Sequence, residues 1–84
     1  MNNLNKNIRS IFAVTAGDYL GQFLLCVECN SDNHVFLSLP DFNIIEVSHI
    51  EVDRGINSKI LDFIERVPSK YFKECLVKYN QVKK

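Results

Sequence analysis

The stretch Gln22–Cys29, "QFLLCVEC", decides how this chain is read. In an extended strand successive side chains point to opposite faces. Phe23, Leu25, Val27 and Cys29 then share one face, and Leu24, Cys26 and Glu28 the other. Apolar residues stand on both. A strand with one face in water alternates apolar and polar positions; this one does not, so it reads as a central strand covered on both sides.

The flanking residues supply its neighbours. "NSDN", Asn30–Asn33, is a cluster of small polar turn formers. The run His34–Leu39 beyond it, with Val35, Leu37 and Leu39 on one face, makes the other arm of a hairpin. Upstream, "TAGDYLGQ", Thr15–Gln22, carries Gly17 and Gly21 and joins the hairpin to a first strand over Ser10–Thr15. Pro40 and Asp41 suit the centre of a type I turn. In "NIIEVSHIEV", Asn43–Val52, Ile45 and Val47 hold one parity while Ile50 and Val52 hold the other. A strand cannot change its buried face without an irregularity, so a bulge or break is predicted near Ser48-His49.

Beyond residue 54 the period lengthens. Asn57 can cap a helix, and Ile60, Leu61, Phe63, Ile64 and Val67 form an apolar stripe that ends at Pro68. Ser69 can cap a second helix, whose face is Tyr71, Phe72, Cys75, Leu76 and Tyr79. Strands followed by helices imply an α+β fold. The expected architecture is a curved antiparallel β-meander of four to five strands followed by two C-terminal helices packed on one face. Closure into a small SH3-like barrel is its variant. Residues 1–9 read as a flexible polar tail, and 10–84 as a single α+β domain.

Composition bounds the function. The chain has 84 residues, 46% of them apolar, which excludes disorder as the default state. Ile11–Val14, after Lys6 and Arg9, is too short for a signal sequence. No run approaches the roughly 18 apolar residues of a membrane span. A cytoplasmic protein with no membrane partner is expected. Three cysteines, Cys26, Cys29 and Cys75, do not suit a disulfide framework. Net charge is zero, yet residues 23–53 hold six acids and no lysine or arginine, and residues 54–84 hold eight bases and three acids. Such polarity favours oriented docking and permits self-association, acidic sheet against basic helix.

Specific chemistry is absent from the motifs. Cys26-Val27-Glu28-Cys29 is a CxxC, but residues three apart on a strand point to opposite faces, so two buried thiols are expected rather than a metal site. His34 reads as solvated and His49 as a hydrogen-bonded edge residue; neither has a nucleophile motif beside it. "GDYLG" lacks the lysine and helix start of a phosphate loop, and Asp18 would repel phosphate. No cofactor is expected, and so short a chain is not expected to hold a pocket of ordinary size.

Two surfaces are left. In a meander the first and third turns lie at one end of the sheet, which would bring Asp18-Tyr19 near Asp41-Phe42 as a protein contact, unless both rings fold inward. Lys59, Arg66, Lys70, Lys73 and Lys78 instead offer charge for nucleic acid. The chain therefore reads as a small non-enzymatic protein-binding module, an adaptor, inhibitor or regulator of the kind encoded by accessory genes of bacteria or phages. The alternative is a nucleic-acid-binding small β-barrel that uses the basic helices.

Overall fold

"QFLLCVEC" does occupy the middle of a sheet. The structure, a computed structural model, describes residues 4–39 and 41–83. Its strands are β1 (Ser10–Val14), β2 (Phe23–Cys29), β3 (Asn33–Leu39), β4 (Ile44–Ser48) and β5 (Leu61–Arg66). Helix α1 (His49–Asn57) lies between β4 and β5, and α2 (Ser69–Val82) follows β5. The five strands form one antiparallel sheet in the order β4-β3-β2-β1-β5. The fold is α+β, built on a strand meander. The sheet is open, so the barrel variant is not formed. Both faces are covered by helices, which removes the need to close it upon itself.

Two cores result. On one face Ile11, Leu25, Val27, Val35 and Leu37 meet Val67, Cys75 and Tyr79, so α2 packs there. On the other Phe12, Val14, Leu24, Cys26, Phe36 and Ile45 meet Val52 of α1 and Leu61. The helices thus take opposite faces, not one. This is what a central strand apolar on both sides requires.

Residues 49–67 differ most from expectation. The predicted break at Ser48-His49 is the start of α1. Ser48 is the N-cap and its hydroxyl accepts a hydrogen bond from the Glu51 amide at 3.2 Å. Asn57 ends this helix instead of starting one, and Lys59 just beyond it is left-handed at φ 67°. The stripe from Ile60 to Val67 is then a strand. Its helical spacing is real, but a helix there would leave the outer edge of β1 unpaired, and β1 is largely buried. β5 supplies those partners: the Thr15 amide donates to the Ile60 carbonyl and the Val67 amide to the Arg9 carbonyl, both at 2.9 Å.

Smaller differences have equally local causes. α2 begins at Ser69 with Pro68 as its N-cap, and no side chain caps it. Met1–Asn3 lie outside the described residues. From Leu4 the expected tail joins the fold: Leu4–Asn7 is a 3-10 turn, Asn7 is buried, and the Arg9 guanidinium donates to the Val67 carbonyl at 2.8 and 3.1 Å. Pro40 of the predicted type I turn also lies outside the described residues.

Candidate functional site

The loop between β1 and β2 is shaped by its glycines. Gly17 and Gly21 take φ 89° and 88°, a region glycine enters at no steric cost. The Leu20 amide donates to the Gly17 carbonyl, and the Gln22 amide to the Tyr19 carbonyl, closing two successive tight turns. The loop therefore holds Asp18, Tyr19 and Leu20 outward; Tyr19 is 43% and Leu20 64% exposed. Beneath it, against α1, lies a groove of about 380 Å³ whose lining includes Asp18, Tyr19, Leu24, Glu51, Arg54 and Leu61. An 84-residue chain thus does make a cavity within the usual range for ligand sites, roughly 300–1,000 Å³. Gly55 lets α1 approach β5 closely: a Cβ there would stand 3.0 Å from Leu61 Cγ and Cδ1. On the rim Arg54 donates to Glu51 at 3.2 Å, which leaves the Asp18 carboxylate without an ion pair among the described residues.

The Asp41-Phe42 turn lies at the same end, since Phe23 at the start of β2 pairs with Leu39 at the end of β3. It does not join the Tyr19 groove. Phe42 is half-buried against the α2-side core, with φ 60°, and Lys78 Nζ stands 6.0 Å from its ring centroid. Asp41 is exposed. The two acid–aromatic pairs share an end of the sheet but belong to opposite faces.

The basic residues are dispersed. Lys59 and Arg66 bracket β5 at opposite ends, about 20 Å apart along an extended strand. Lys70, Lys73 and Lys78 belong to α2, on the other side of the sheet. Tyr79, a possible base-stacking ring by type, is buried. Glu28 faces Tyr79 within the same chain, and burial together with that carboxylate pushes the Tyr79 phenol up. The acidic sheet face is thus partly covered by the chain's own helix, which weakens self-association of acidic sheet on basic helix.

The third cluster joins the cysteines and histidines. β2 and β3 shift register between Cys26 and Glu28, so Val27 is an extra residue and Cys29 pairs opposite His34. The bulge puts Cys26 and Cys29 on the same, α1-side face, not on opposite faces. Their thiols are in side-chain contact, and burial pushes both up, so both stay protonated at neutral pH. His34, expected in solvent, is 1% exposed. It belongs to a chain of hydrogen bonds. The Asn30 carbonyl can only accept, so His49 carries its proton on Nε2, at 2.9 Å. His34 Nε2 accepts from Asn7 Nδ2 at 3.0 Å, so neutral His34 carries its proton on Nδ1 and donates it to His49 Nδ1 at 2.8 Å. Burial holds His34 below the ordinary histidine value; neighbouring His49 adds to this and Asp53 opposes it. Among the described residues no three His, Cys, Asp or Glu side chains gather as a metal site, and no helix is long and apolar enough to cross a membrane.

Comparison with protein families, with curated proteins and with solved structures gives no match. Leu20, Glu51 and Arg54 were not marked by sequence. The parity change at Ser48-His49 was the available signal, because a helix begun there carries Glu51 and Arg54 to the Tyr19 loop.

Proposed function

We propose that this chain is a small non-enzymatic protein-binding module, an adaptor, inhibitor or regulator, that holds an apolar side chain of a partner segment in the groove between Asp18-Tyr19-Leu20 and α1. The observation that carries this reading is the half-exposed Tyr19 lining an apolar groove, with the exposed Leu20 next to it in the loop. Two glycines at positive φ shape the loop so that a large part of both side chains stays in water. Ring and aliphatic area of this kind supplies affinity, and rim charge supplies orientation. Arg54 is engaged by Glu51, so Asp18 favours a partner segment with a basic residue beside its apolar anchor.

The test uses a photo-crosslinking residue at Leu20 and, as control, at Asn80 on α2, in cells of the source organism. Proteins crosslinked from position 20 and lost in Tyr19→Ala and Asp18→Lys, at unchanged melting temperature, support the reading. The same crosslinks from both positions, or crosslinks that survive both substitutions, contradict it.

A further inference from the structure

A second cavity of about 380 Å³ lies on the same face of the sheet, along the other side of α1, between the Leu4–Asn7 turn and the end of β5. One wall is aromatic. Phe12 and Phe63 meet edge to face, with centroids 6.1 Å apart and planes at 72°, and Phe63 is still 56% exposed. The back is polar. Ser10 is only 5% exposed and lines the cavity, yet its hydroxyl makes no hydrogen bond to any described residue. Beside it Asn7, also buried, has its amide group committed to His34. At the rim stand Lys6 and Arg66, exposed cations that take part in no ion pair among the described residues, opposite Asp53 of α1.

No buried side-chain nitrogen or oxygen among the described residues lacks a partner, so the unbonded Ser10 hydroxyl is open to the cavity and can donate to whatever enters it. Two unpaired cations lining the same cavity as an open aromatic ring narrow the choice of ligand. We propose that this cavity binds a small anion carrying a planar ring. The ring lies against Phe63, the anionic group is held between Lys6 and Arg66, and the Ser10 hydroxyl donates a hydrogen bond to a ligand acceptor. Asp53 favours ligands that also carry a donor group. Guanidinium binds carboxylate and phosphate with the same forked geometry, so both ring-bearing carboxylates and ring-bearing phosphates share this chemistry. The site is separate from the Tyr19 groove and stands or falls independently of it.

The experiment is a titration of nitrogen-15-labelled protein followed by amide NMR. The probes are adenosine monophosphate and phenylacetate, each beside its neutral counterpart, adenosine or benzyl alcohol. The expected result is a saturable shift of the Ser10, Asn57 and Phe63 amides with at least one anion. The neutral counterpart should bind about tenfold more weakly, and Arg66→Gln should weaken the anion about tenfold. Which anion binds distinguishes phosphate from carboxylate. Ser10→Ala, which removes only the hydroxyl, should weaken binding without lowering the melting temperature. The proposal is overturned if neither anion gives a saturable shift up to about 10 mM, if the neutral compounds bind as tightly, or if Arg66→Gln and Lys6→Gln both leave binding unchanged.

Discussion

β2 and β5 are strands of nearly equal length with opposite means of support. β2 has a partner on each edge and buries Leu24, Leu25, Cys26 and Val27 between two helical layers. β5 has one partner, β1, and of its residues only Leu61 is buried. Its apolar Phe63 and Ile64 remain exposed. Side-chain burial specifies β2; backbone pairing with β1 and the end anchors Leu61 and Val67 specify β5. The exposed edge is guarded by Asp62, Glu65 and Arg66 and by a register shift opposite Ile11/Phe12, devices that keep another strand from adding to it. Where burial is relaxed the surface is free for other uses, and the groove and the cavity of the α1 face both border β5.

The contrast predicts graded effects. Leu25→Ala, at the centre of β2, should cost about 3 kcal/mol by urea unfolding, since it opens a void in a fully buried position. A cost below about 1 kcal/mol would mean that β2 is not the two-sided centre. Gly55→Ala comes next. The helix gains roughly 1 kcal/mol of propensity, but the methyl group meets Leu61 at 3.0 Å, so a net loss on the order of 1 kcal/mol is expected. A net gain would show that α1 does not press on the start of β5. At the far end of β2, the chain of hydrogen bonds through His34 should make folding pH-dependent. The folded chain holds His34 below the ordinary value, so the unfolded chain takes up the proton first. The contribution is complete above pH about 6.5 and is lost as pH falls from there through the lower folded value. The urea midpoint should drop between neutral and mildly acidic pH, and His34→Gln should flatten that drop. Phe63→Ala on β5 should be the mildest, within about 1 kcal/mol, because its ring is largely in water already.

The same contrast explains what could be read in advance. Two-sided apolarity placed β2, small polar residues placed the Asn30–Asn33 turn, and paired glycines placed the Tyr19 loop. These signals are local. β5 was illegible because Ile60, Leu61, Phe63, Ile64 and Val67 repeat with a helical period, and the vacancy that recruits them lies on β1, some fifty residues earlier. The Val27 bulge was equally hidden: register depends on both strands, and it is the bulge that brings Cys29 opposite His34. Neither cavity was visible, since each is walled by elements distant in sequence, among them the misread segment 49–66.

The central claim is that residues 61–66 are an edge strand on β1, with α1 and α2 on opposite faces. Carbon and proton NMR of the labelled chain tests it most directly. Extended-type Cα shifts across Leu61–Arg66, with cross-strand contacts from Phe12 to Phe63 and from Ala13 to Asp62, are the predicted result. Helical shifts across that segment, with those contacts missing, would contradict it and remove the wall shared by the groove and the cavity.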